Sequence, residues 1–252
     1  MKIRVLIIVL ASSLFIFLAI YFFPGNSVSQ GALEVWQNKA IIPQDEVLPF
    51  KAGETITYQI KLNGINIGRA TLSYKGRTKL EGKDVYLILF STDTLNFKDT
   101  EIMYADTENF LPLRIERDIN NWGRKMSIIE EYDQANHSVR ITQINKKRVR
   151  SKELKQDDKI QNVILLTFLY RKLGNFELGR DFPVTLPMAK FIMRFAKQEK
   201  LVVPFGVYQA HMAESFPKGH KIWFEVSEKF IPVKISGPFY LGPVTMTMIN
   251  YE

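Results

Sequence analysis

The chain has 252 residues, 46% of them hydrophobic and 12% aromatic, enough to bury a sizeable core. It contains no cysteine, which excludes disulfides, thiol nucleophiles, cysteine metal sites and the lipid-bearing cysteine of a bacterial lipoprotein. The formal charge of +8 gives a weak bias toward anionic surfaces. The basic residues are scattered apart from the cluster Lys146-Lys147-Arg148-Val149-Arg150-Ser151-Lys152. That cluster has no interleaved aromatics and reads as a solvated hairpin tip, so nucleic-acid binding is not expected.

Residues Val5–Phe23 form an apolar run in which Ser12 and Ser13 are the polar members, preceded by Lys2 and Arg4. A run of this length spans a bilayer, and the flanking charge places the N-terminus in the cytoplasm. It reads as a signal anchor, or as a signal peptide if cleaved. Either way the remainder is expected on the periplasmic side of the inner membrane. Residues 24–49 read as a linker, and the domain proper as 50–252.

Within the domain, Glu54–Leu62 alternates Ile56, Tyr58, Ile60 and Leu62 against polar neighbours, the period of a half-buried strand. Asn63-Gly64 is a strong hairpin signal, and Ile65–Tyr74 returns. Gly68 inside that strand predicts a bulge or a tight bend of a curving sheet. A second hairpin turns at Glu81-Gly82, and strands follow at short intervals to Leu154, with Asn120-Asn121-Trp122-Gly123 and Asp133–Asn136 as turns. After residue 180, Asp181–Leu186, Phe191–Phe195, Lys200–Val203, Val207–Ala213, Ile222–Val226, Pro232–Ile235 and Val244–Tyr251 read as strands.

Residues 159–173 predict a helix, capped by Asp157 or Asp158 and by Gly174. It is apolar on nearly every side (Ile160, Val163, Ile164, Leu165, Leu166, Phe168, Leu169), which marks a buried helix. The expected fold is therefore mainly β: an antiparallel curved sheet or partial β-barrel around one buried helix, preceded by a transmembrane helix.

Several stretches in order carry a family resemblance. They are Phe50–Glu54 leading to Tyr58, then Asn63-Gly64-Ile65, Gly68 and Ala70, Leu169-Tyr170-Arg171, Lys221–Phe224, and Phe230–Val233 before the final strand. Over residues 50–251 the chain resembles the bacterial domain-of-unknown-function family 3108. The resemblance implies a β-rich domain of the cell envelope and brings no catalytic residues with it.

No catalytic motif stands out. His137, His211 and His220 lack metal-ligand spacing, no Gly-x-Ser-x-Gly occurs, and Gly237–Gly242 lacks the Lys-Ser/Thr of a phosphate loop. Glu130 and Glu131 are adjacent on a strand and point to opposite faces. Glu116 and Asp118 share a face, where ion pairing with nearby arginines is the expected use. Three residues are singled out as ligand or partner contacts: Trp122, because a turn tip either exposes its ring or folds it back; His211, on a strand; and Arg171, at the helix end. No cofactor, metal or catalytic group is assigned. The expected function is a non-enzymatic, membrane-anchored domain, held through Val5–Phe23, that binds a lipid-like or glycan envelope component in the sheet's concavity or a protein partner on its rim. The alternative is an envelope hydrolase or transferase that uses carboxylates brought together by the fold.

Overall fold

The computed structural model describes Val9–Leu10, Phe17–Leu18 and residues 47–145, 148–174, 176–239 and 241–252. Apart from a short pairing of Val9–Leu10 with Phe17–Leu18, the anchor over Val5–Phe23 and the linker as far as residue 46 lie outside the described residues. No helix among the described residues is long and apolar enough to cross a membrane.

Fourteen strands build one antiparallel sheet. The first half comprises β1 (Thr55–Leu62), β2 (Ile65–Leu80), β3 (Lys83–Thr94), β4 (Phe97–Asp106), β5 (Pro112–Asn121), β6 (Arg124–Asp133), β7 (Ser138–Asn145) and β8 (Arg148–Lys155). Helix α1 (Val163–Leu173) follows. The second half comprises β9 (Asp181–Thr185), β10 (Lys190–Val203), β11 (Gly206–Phe216), β12 (Lys221–Glu225), β13 (Pro232–Phe239) and β14 (Gly242–Tyr251). Strands adjacent in sequence pair with one another within each half, and β14 pairs with β1. The first and last strands thus lie side by side at the middle of the sheet, while β8 and β9 are its two edges.

Local chemistry explains the meander. The hairpin turns Asn63-Gly64, Glu81-Gly82 and Trp122-Gly123 each place both residues at positive φ, the geometry whose twist matches that of paired strands. Gly68 is required by close approach: a Cβ there would lie 2.2 Å from the Asp93 carbonyl oxygen. Register shifts in β2 between Tyr74 and Gly76 and in β10 between Phe195 and Lys197 bend the sheet. The second shift corrects the sequence reading. Phe191–Phe195 and Lys200–Val203 are parts of one strand, and the polar stretch between them continues the ladder through a bulge.

The helix is shorter than the expected 159–173. Its N-cap is Asn162, whose side-chain oxygen accepts the Ile164 and Leu165 N–H groups. The acids upstream cannot cap it because the preceding backbone is engaged elsewhere. Ile160 N–H donates to Gln134 Oε1, and Gln161 N–H donates to the Thr185 carbonyl at 2.7 Å. These bonds hold the approach extended and join the β8–α1 connection to edge strand β9. Gly174 ends the helix in the left-handed conformation, as expected.

Helix α1 fills the concavity. Phe168 packs in the first half against Phe50, Tyr74 and Phe110, with ring centroids 5.1, 6.1 and 5.9 Å away. Tyr170 packs in the second half against Phe182, Phe195 and Phe224. Arg171 fixes the helix end. Its guanidinium donates to both oxygens of Glu54 and to the Lys229 and Pro49 carbonyls, and lies 4.7 Å from the Phe50 ring centre. Tyr251 Oη donates to the same Glu54 carboxylate at 2.9 Å.

Glu54→Ala leaves the Arg171 charge buried without its counter-ion, so a loss of about 3–5 kcal/mol in unfolding free energy is expected by urea titration. Glu54→Gln keeps a hydrogen-bond acceptor and should lose less. Equal, near-zero losses for both would remove the ion pair from the account of stability.

Candidate functional site

Three places in the fold gather polar or exposed groups. The first is buried on the inner face of β4–β6. The alternation that points Ile115 and Ile119 inward also points Arg117 inward, together with Asp99 and Glu101 of β4 and Glu130 and Tyr132 of β6. Arg117 donates to Asp99 at 2.5 Å and approaches Glu101 at 3.7 Å, while Tyr132 Oη donates to Glu130. Burial pushes the Glu101 carboxyl up to about 8, with Arg117 opposing and Asp99 and Glu130 adding to the rise. Glu130 is raised as well, again chiefly by burial. The fold brings these carboxylates together: Asp99 and Glu101 are buried beside the Arg117 guanidinium, and Glu130 is half-buried at the edge of the group. The sequence reading expected arginines near Glu116 and Asp118 to form ion pairs and singled out neither Arg117 nor Asp99. The period-two alternation through Ile115, Arg117 and Ile119 was the available signal.

The second place is a cleft of about 410 Å³ on the outer face, lined by Leu80 and Leu113 and by a row of alternating charge across β5–β8. Arg114 faces Glu131, Glu131 faces Arg140, and Arg140 faces Glu153 in register. Arg114 also bonds Glu116 at 2.7 Å, the surface pairing expected for that residue. Neutralised from strand to strand, the row reads as a cross-strand ladder.

The third place is a rim. Because antiparallel neighbours alternate in direction, the turns β1–β2, β3–β4, β5–β6 and β13–β14 fall at one end of the sheet. They are joined in two pairs: Asn63 Nδ2 donates to the Leu241 carbonyl at 2.7 Å, and Trp122 N–H donates to the Asn96 carbonyl at 2.8 Å. Each of these turns lifts one large apolar side chain into solvent: Leu241 59% exposed, Ile65 69%, Leu95 88% and Trp122 74%. Arg69, Arg124 and Lys125 are exposed nearby. Trp122 sits at φ +53, a conformation rare for a bulky residue. The opposite ends of these strands differ in kind. There the turns at Glu81-Gly82, Asp106–Leu111 and Asp133–His137 present Glu81, Glu108 and Asp133, while Phe110 and Leu111 are buried. Another apolar tip, with Val202, Phe205 and Val207 exposed, caps the β10–β11 hairpin away from this rim.

Of the three residues singled out in the sequence, Trp122 is on the rim with its ring exposed. His211 is half-buried and stacked on Phe176 at 5.3 Å, and burial lowers its pKa. Arg171 is corrected as a ligand contact: its side chain is fully buried on Glu54 and has no surface to offer. Sequence reasoning missed Leu95, Ile65 and Leu241, which become a site once the meander lines up their turns. Among the described residues, no group of three His, Asp or Glu side chains is arranged to hold a metal ion.

The fold defines a class: an open, fourteen-stranded antiparallel β-domain packed on a single helix among the described residues. The chain belongs to the family described as "Protein of unknown function (DUF3108)", which matches residues 57–249. No curated protein matches the sequence. Among solved structures it is similar to a beta-barrel-like protein of domain of unknown function DUF1849 from Brucella abortus, at 9% identity and TM-score 0.48, covering 80% of this chain and 97% of that one. It is also similar to a candidate lipoprotein from Parabacteroides distasonis, at 8% identity and TM-score 0.30, covering 83% and 100%. A third is a candidate exported protein with a YmcC-like fold from Bacteroides fragilis, at 9% identity and TM-score 0.30, covering 81% and 98%.

The buried carboxyls make stability depend on pH. Glu101 is held protonated in the folded chain but ionises near its ordinary value of 4.5 once unfolded. Its contribution is therefore complete below about pH 4.5 and is lost as pH rises toward about 8. Glu101→Gln cannot ionise, so its melting temperature is expected to fall less than that of the native chain between pH 5 and pH 8. Parallel melting curves for the two proteins across that range would show that Glu101 does not carry this dependence.

Proposed function

We propose that this is a non-enzymatic extracytoplasmic domain that docks on the anionic surface of an envelope membrane through the Leu241–Ile65–Leu95–Trp122 rim. The observation that carries the reading is the asymmetry of the two ends of the sheet. Across β1–β6 the rim turns expose apolar side chains beside Arg69, Arg124 and Lys125, while the turns at the opposite end present Glu81, Glu108 and Asp133. In the second half of the sheet that opposite end carries the apolar tip of the β10–β11 hairpin. Four large side chains exposed in a row are far more than a soluble surface requires, and basic residues beside them match anionic head groups. The apolar run Val5–Phe23 behind Lys2 and Arg4 supports a location outside the cytoplasm at the inner membrane. The concavity, first expected to receive a lipid or glycan, is occupied by α1, which favours the rim over an internal ligand.

The absence of cysteine makes the test direct. A single cysteine introduced as Leu95→Cys or Trp122→Cys and labelled with an environment-sensitive dye is placed in the full chain, reconstituted in nanodiscs of anionic lipid. The dye emission should shift to the blue and be quenched by a lipid-borne quencher, while dye at Glu81→Cys stays unchanged. Raising ionic strength from about 0.1 to 1 M shortens the Debye length from about 10 to 3 Å and should weaken the shift. Identical, water-like emission at all three positions would refute membrane docking by this rim.

A further inference from the structure

The two edges of the sheet are finished differently. Strand β9 has five residues, contains Pro183, and has its Thr185 backbone bonded in both directions to Gln161. It offers little to a new strand. Strand β8 has eight residues, no proline and no bulge, pairs with β7 along its whole length, and has no neighbour on its other side among the described residues. Its side chains are exposed from Arg148 to Glu153. Among the described residues this edge is therefore a row of backbone donors and acceptors with no strand partner.

The register defines what the edge would recognise. Arg148, Arg150 and Lys152 share the face on which Leu154 packs toward the core, opposite Asn145, Gln143 and Ile141 of β7. Val149, Ser151 and Glu153 share the other face, with Val149 exposed. Alternate residues of a strand are about 6.8 Å apart, so a strand added alongside would set its own alternate side chains opposite the three cations. Directly opposed unlike charges stabilise such a pair and like charges oppose it. Four cations against the single acid Glu153 make a second copy of β8 a poor partner for itself.

We infer that β8 is a docking edge for an extended acidic segment of a partner protein, which adds antiparallel to β8 as a fifteenth strand. Read antiparallel from Lys152 to Arg148, the segment carries acid, any residue, acid, apolar residue, acid. The backbone ladder provides the affinity, and the three cations set register and sign. This inference is independent of the membrane rim, because it uses a different edge of the sheet.

The test uses the full chain in nanodiscs of neutral lipid and a dye-labelled nine-residue peptide in which Glu alternates with Thr and Val, followed by fluorescence anisotropy. Two isomers of the peptide carry N-methyl groups on one or the other alternate set of residues. Strand addition predicts that methylation of the set facing β8 weakens binding at least about tenfold, as expected for several lost backbone hydrogen bonds, while the other isomer binds like the parent. The triple variant Arg148→Glu, Arg150→Glu, Lys152→Glu should reject the Glu peptide and bind a peptide with Lys in its place, a gain that also shows the variant is folded. Equal binding of both methylated isomers would reduce the effect to charge attraction and overturn the proposal. So would failure of the charge-reversed pair to bind.

Discussion

The buried ion pair between Arg171 and Glu54 is the constraint on which the rest of the structure depends. It joins residues 117 positions apart, and Tyr251 joins the same carboxylate from 197 positions away. One carboxylate thereby joins three elements: the start of the first strand, the end of the helix and the end of the last strand. Removing two charges from water costs several kcal/mol, which is recovered when the geometry is bidentate and the remaining donors are satisfied. Here the carbonyls of Lys229 and Pro49 take those donors. The pair fixes where the helix sits, and the helix decides what the sheet can do with its interior.

That placement converts a curved sheet into a filled one. Phe168 and Tyr170, two residues apart, send aromatic rings into opposite halves, so the helix acts as a shared core for two meanders. Function is displaced outward as a result. The inward-facing polar groups around Arg117 face one another inside the sheet, and among the described residues the surfaces left to meet other molecules include the turn tips and the β8 edge.

How much of this was legible in the sequence follows from the range of each interaction. Strand alternation and the positive-φ hairpin at Asn63-Gly64 depend on neighbours in the chain, and both could be read. So could the all-round apolar helix and its Gly174 cap. The start of the helix could not, because Asn162 becomes the cap when Gln134 and Thr185 hold Ile160 and Gln161 extended. The Arg171 contacts depend on residues over fifty positions away and were invisible for the same reason. Trp122 could be flagged by its turn. Its partners on the rim are single apolar residues in separate turns, and a lone exposed leucine means nothing until topology sets four such residues in a row.

The pairing of β14 with β1 has a consequence for the order of assembly. Backbone bonds run both ways between Thr55 and Glu252, so the seam at the middle of the sheet closes between the start of β1 and the end of β14. Each half is a run of hairpins between sequence neighbours and needs nothing distant to begin forming. The join needs a contact across the whole domain, the slowest kind to search for. Two half-sheets can thus form by local pairing, each around its own share of the helix, before the β1–β14 seam joins them.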